Sequence, residues 1–306
     1  MGGGGATFQG SPQNISVSGG GSYGNYGFVS GAFDGGFEIC PGTSPGQVDG
    51  PTSENFAAWC WKGANAQGSS NTDGSINTTY TSVNTTAGFS ICQYTGYESG
   101  TQTVGHGLGV APKLILIKQT SANSLNFVMY HHELGPTRHF LLNSTNAAAT
   151  SSAYFGDTAP TSSVFSIGGN HNVNQNSQTF IAYCFAEKTG FSKFGKYTGN
   201  GNANGAYVHC GFTPRFVIVK NNSQGFNTVI QDTHRSPGNI ANKKLCPDST
   251  ASEASAKRTS DSVTMPTALW ITLISTSSLF NLTMFSDNAS IEPSTSPLII
   301  TGRVLM

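Results

Sequence analysis

The sequence predicts an all-β protein made of tandem antiparallel, β-sandwich-like domains of jelly-roll type, and three observations lead there. Its apolar residues come in runs of strand length, such as "KLILIK" (113–118), "RFVIVK" (215–220) and "ALWITLIS" (268–275), and no long stretch carries the 3.6-residue spacing of a helix. Glycine is abundant, 38 of 306 residues, and with Ser, Thr and Asn it fills the intervals between those runs with turn chemistry. A pattern about 100 residues long occurs twice, which is the size of one small β domain and not of a solenoid turn.

The elements follow in order. Residues 1–63 read as the end of a preceding copy, because "GFEICPGTSPGQVDGPTSENFAAWCWKG" (36–63) matches the later "VFSIGGNHNVNQNSQTFIAYCFAE" (164–187). Residues 64–87, polar throughout, read as a linker or long loop. Residues 88–187 form repeat A, and residues 188–306 form repeat B with divergent C-terminal strands. The two align through "GFSICQYTG" with "GFSKFGKYTG", "GVAPKLILIKQTS" with "GFTPRFVIVKNNS", and "NFVMYHHELGP" with "NTVIQDTHRSP". The matched positions are Phe89 and Phe191, Tyr94 and Tyr197, Pro112 and Pro214, Lys118 and Lys220, with Cys60 and Cys184 sharing one strand position.

"KLILIK" and "RFVIVK" are apolar on both faces, as suits buried strands, and the prolines stand just before them, where a missing N–H costs little. Lys118 and Lys220 then read as solvent-facing strand terminators. In "TFIAYCFAE" (179–187), Ile181, Tyr183 and Phe185 share one face, and Phe180, Ala182 and Cys184 the other. After residue 251 the pattern fades, although "ALWITLIS", "LFNLTMFS" and "PLIITGRVLM" still read as strands.

Charge is sparse and balanced, 15 Lys+Arg against 15 Asp+Glu, which argues against nucleic acid because phosphate binding needs a positive field. No apolar run reaches the roughly 18 residues of a membrane span, so no membrane insertion is expected. The start "MGGGGATFQGS" lacks the basic and apolar regions of a secretory leader, and the Asn-x-Ser/Thr triplets arise by chance in a chain of this composition.

Six cysteines raise the question of disulfides or zinc. Cys92, Cys210 and Cys246 align with Phe194, Leu108 and Leu142, so they read as small buried hydrophobes, and no CxxC pair supports zinc. His131 and His132, adjacent on a strand, are expected to face opposite sides and so cannot share one ion. His139, His171, His209 and His234 fall in predicted loops or strand edges without a partner pattern. The acids Glu133, Asp157, Glu187 and Asp232 are scattered singly, there is no GxSxG elbow, and "GHGLG" (105–109) precedes a strand rather than a helix. No catalytic residue, metal site or cofactor is expected. The exposed turns after each "YTG" supply the candidate binding residues Tyr97, Asn200 and Asn202.

The stretches "AWCWKG", "GFSICQYTG", "TVGHGLGVAPKLILIK", "YHHELG", "DTAPTSSVFSIG", "FIAYCFAEKTGFSKFGKYTGNG" and "GFTPRFVIVK" resemble a repeated β domain of tailed-bacteriophage virion structural proteins, common in marine and cyanobacterial phages. The resemblance covers about residues 36–255 and weakens at both ends. It implies a non-enzymatic virion protein, a tail fibre or appendage in host-surface attachment, with a capsid decoration or head-fibre role as the alternative. It also implies self-association as a homotrimer, contacts with other virion proteins, and a host-surface glycan or outer-membrane protein as receptor. A polar, weakly charged surface suits weak contacts multiplied over several copies. Two other classes are a tail-associated glycan-degrading enzyme, which needs two carboxylates about 5 to 9.5 Å apart, and a cell-surface adhesin.

Overall fold

A computed structural model describes residues 28–33, 36–40, 56–64, 66–121, 125–202, 205–237, 242–255 and 268–273, all within one compact unit, residues 1–276. The fold is all-β. β1 (Phe28–Phe33) and β2 (Gly36–Cys40) form a hairpin. β3 (Tyr80–Asn84), β4 (Phe89–Thr95), β5 (Gln102–Gly105), β6 (Leu114–Gln119), β7 (Val128–His131), β8 (Arg138–Leu141) and β9 (Ala149–Thr150) follow. Two single-turn helices, α1 (Ser152–Phe155) and α2 (His171–Asn174), flank β10 (Val164–Ile167). They start on Ser151 and Asn170, whose side chains accept from Ala153 N and Asn172 N, and α1 stops at Gly156, which takes the left-handed conformation at φ 59°. β11 (Thr179–Phe185), β12 (Ser192–Tyr197), β13 (Phe216–Asn221), β14 (Val229–Asp232), β15 (Lys243–Lys244), β16 (Ala254–Ser255) and β17 (Ala268–Leu273) complete the described strands.

One seven-stranded sheet runs β3-β4-β11-β6-β7-β8-β9, and a four-stranded sheet runs β12-β17-β13-β14; every strand pair is antiparallel. In the larger sheet the last strand in chain order, β11, inserts between β4 and β6, and in the smaller one β17 inserts between β12 and β13. Phe185 of β11 faces Phe89 and Leu114 across the ladder, and Leu273 of β17 stands likewise opposite Ser192 and Phe216. "ALWITL" thus occupies in its sheet the place of "TFIAYCF" in the larger one.

Alternation along the strands of the larger sheet feeds two cores. Cys92, Tyr94, Ile115, Ile117, Phe180, Ala182 and Cys184 point into the first, closed by Val104 and Phe165 of the β5–β10 pair and by Phe155 and Val173 of the helices. Phe89, Leu114, Met129 and Phe185 point into the second, which they share with Phe194, Phe216 and Ile230 of the smaller sheet. Trp59 and Trp61 join it, Trp61 lying edge-on to Phe185 and Phe216 at 6.1 and 5.9 Å. The chain crosses between the sheets in a tight turn in which Phe191 N and Ser192 N both donate to Lys188 O.

Several expectations are corrected. The polar stretch 64–87 contains β3, which pairs with β4; its Thr, Ser and Asn suit an edge position where one face meets water. Lys220 is 2% exposed and pairs with Asp248 at 3.5 Å, while donating to the Ser144 and Phe226 carbonyls at 2.5 and 3.1 Å. Its counterpart Lys118 is half-buried, donates to Leu125 O, and lies over the Phe127 ring at 5.5 Å. Neither lysine points at solvent, because each ends its strand against a following loop whose carbonyls need a donor. Cys184 and Cys92 are fully buried, whereas Cys60 is exposed, its neighbours Trp59 and Trp61 taking the inward places. His139 lies in β8, 6% exposed and stacked on Tyr154 at 3.5 Å. "LFNLTMFS" and "PLIITGRVLM" lie outside the described residues, as does the side chain of Cys40.

Candidate functional site

Five of the chain's thirty Lys, Arg, Asp and Glu meet where β12 folds back onto the larger sheet. A groove of about 490 Å³ is lined by Lys113 ahead of β6, His132 and Glu133 after β7, Glu187 after β11, Lys193 to Tyr197 of β12, and Tyr207 to His209. Antiparallel pairing brings the first three segments together, since β11 lies beside β6 and β6 beside β7. The turn at 188–192 then folds β12 back onto them.

Within the groove, Glu187 accepts from Lys193 Nζ at 2.7 Å, and Glu133 pairs with Lys196 Nζ at 3.2 Å. Burial pushes the Glu133 carboxyl upward, but the Lys196 hydrogen bond and the charges of His132, Lys196 and His131 outweigh it and hold it below the ordinary carboxylate range. His132 donates through Nε2 to Phe194 O at 3.1 Å, fastening the larger sheet to β12. Burial lowers its pKa, a trend that Lys113 reinforces and that the Phe194 bond, Glu133 and Glu187 oppose. His131 and His132 do not face opposite sides: β7 ends at His131, the chain turns, and the two rings stack at 5.2 Å. Among the described residues, no group of three or more His, Cys, Asp or Glu is placed to hold a metal ion, and no helix is long and apolar enough to cross a membrane.

The groove is therefore a set of ionised lysine–carboxylate pairs bordered by phenol rings, Tyr197 half-buried and Tyr207 90% exposed. Such an arrangement can hold a polar ligand by charge, hydrogen bond and ring contact. A sequence profile for a domain of unknown function, DUF7483, matches residues 25–265, a span that takes in the groove and both sheet cores. The chain belongs to the DUF7483 family. No curated protein and no solved structure matches it.

The sequence-predicted residues of this DUF7483 chain are divided between two places. Tyr97 is 63% exposed on the turn after β4, and its N–H, with that of Glu98, donates to Asn174 Oδ1. Glu98 adopts φ 55°, held there by contacts from Asn176 N and from His171 Nε2 at 2.5 Å. Those two bonds, the Asn176 one foremost, also lower the Glu98 pKa. Asn200 and Asn202 belong to a separate exposed turn, where Asn202 N donates to Asn200 Oδ1 and Asn200 Nδ2 to Gly205 O. Of the matched repeat positions, only Tyr197 lines the groove; its counterpart Tyr94 is fully buried and donates to Val173 O at 2.7 Å. Sequence reasoning missed Lys113, His132, Lys193, Lys196 and Tyr207. The available signal was density of charge: "HHE", "EK" and "SKFGK" stand out in a chain with so few ionisable residues.

Proposed function

We propose that this DUF7483 chain is a bacteriophage virion structural protein, a tail fibre or appendage that binds the host surface without catalysing a reaction. The observation that carries the reading is the state of the groove: both carboxylates are already committed to lysines, while the aromatic rim stands open to solvent. The Glu133 carboxyl is held below the ordinary carboxylate range, whereas a proton-transfer role at neutral pH calls for a raised pKa. The motifs that resemble phage virion domains run through the strands and turns that build this groove, which supports the particle context. The common strand order of the two sheets supports an internal duplication, and their shared core supports a sandwich-like arrangement. Self-association as a trimer and contact with other virion proteins belong to the same reading.

Cryo-electron microscopy of purified particles tests it. Copies in a small multiple of three projecting from the tail are expected. Copies spread over the head would instead make the chain a decoration or head-fibre protein, and absence from any particle would overturn the reading. Glu133 and Glu187 lining one groove favour a second reading, a tail-associated glycan-degrading enzyme. Release of new reducing ends from host polysaccharide, abolished by E133Q or E187Q, would establish that alternative.

A further inference from the structure

The groove's chemistry narrows the ligand class, an inference that rests on the attachment reading. Of its three lysines, Lys193 and Lys196 are neutralised by Glu187 and Glu133. Lys113 has no ion-pair partner among the described residues, so the groove keeps one surplus positive charge. Tyr207, 90% exposed on the rim, offers a ring whose apolar face gains from being covered. Glu133 and Glu187 have acceptor capacity beyond their lysine bonds, the pattern that hydroxyl donors satisfy.

One isolated cation, paired carboxylate acceptors and an open phenol ring together match a ring-shaped polyol bearing a single carboxylate. We propose that the groove binds an acidic saccharide, a uronic-acid-type unit, with Lys113 holding its carboxylate, Tyr207 covering a face of the sugar ring, and Glu133 and Glu187 accepting its hydroxyls. The volume, about 490 Å³, lies within the range of small-ligand sites and admits a short oligosaccharide. A polyphosphate or nucleic acid fits poorly, since a run of phosphates needs several unpaired cations and the groove has one.

The test is equilibrium binding of purified full-length protein to trigalacturonate, with maltotriose as the neutral control and a sulfated disaccharide as a second anion. Saturable trigalacturonate binding, weakened by salt and at least about ten-fold tighter than maltotriose, is expected. K113A should lose about ten-fold in affinity, K113R should restore most of it, and Y207A should lose about five-fold, each with an unchanged melting temperature. Equal binding of maltotriose, a K113A protein that binds like wild type, preference for the sulfated sugar, or no binding of trigalacturonate would each overturn the proposal. The readout is independent of the particle experiment. A tail-located protein that ignores trigalacturonate overturns the groove assignment alone, and a binder absent from particles overturns the virion reading alone.

Discussion

His139 makes a quantitative prediction about acid stability. It lies on β8 at 6% exposure, stacked on Tyr154 at 3.5 Å with rings 18° from parallel, and its Nδ1 is buried without a hydrogen-bond partner among the described residues. Burial pushes its pKa from 6.5 down to about 4. The folded protein therefore holds the ring neutral, while the unfolded chain takes up a proton at about 6.5. Because the unfolded state binds more protons below that value, stability is full above pH 6.5 and falls as the pH drops toward 4. The gap corresponds to a loss of about 2 kcal/mol by pH 5 and about 3 kcal/mol by pH 4, a large part of a typical total of roughly 5–15 kcal/mol. His106 and His132, whose pKa values burial also lowers, act in the same direction, so the wild-type slope alone does not isolate His139. His139→Phe keeps a ring against Tyr154 and removes the titration. Urea unfolding at pH 8 and pH 5, followed by tryptophan fluorescence, should show the wild type losing about 2 kcal/mol more than H139F between the two pH values. Parallel losses in the two proteins would refute the reasoning.

Three further outcomes are expected from urea unfolding at neutral pH. Lys220→Met should cost about 3–5 kcal/mol, because Asp248, whose side chain is fully buried, loses its cation and keeps, among the described residues, the donors Thr228 N and Asn227 Nδ2. Gly96→Ala in the first "YTG" should cost about 1–3 kcal/mol, since a Cβ there would sit 2.2 Å from the Gln175 carbonyl oxygen, which belongs to the backbone and yields little. Tyr94→Phe should cost about 1–2 kcal/mol by leaving the Val173 carbonyl without its buried donor.

Much of the fold is written in local alternation. The split of "TFIAYCF" into Phe180, Ala182 and Cys184 on one face and Tyr183 and Phe185 on the other is the split between the two cores, because a central strand with both faces covered must be apolar on both. Pro112 and Pro214 stand two residues ahead of β6 and β13, matching their reading as strand leaders. β3 was illegible because "YTSVN" is an edge strand whose polar residues resemble a loop. The burial of Lys220 has no local signature, since its partner Asp248 is 28 residues away. The groove was hidden for the same reason: Lys113, Glu133, Glu187 and Lys196 come from four segments that only sheet pairing brings together. Tyr94 and Tyr197 match in sequence yet differ in place, one in a core and one on the groove wall, because burial is decided by what packs opposite and not by the motif itself.

The ring cluster of Phe89, Phe185, Phe194 and Phe216 bears on how such chains can be shuffled by recombination. A crossover within the turn at 188–191 would join one rim of the cluster to a stranger's other rim, leaving mismatched volumes at its centre. Exchange that preserves the fold has to carry residues from Trp59 to β17 as a block. The heritable module is then the pair of sheets, neither of which can be exchanged alone without opening the core they share.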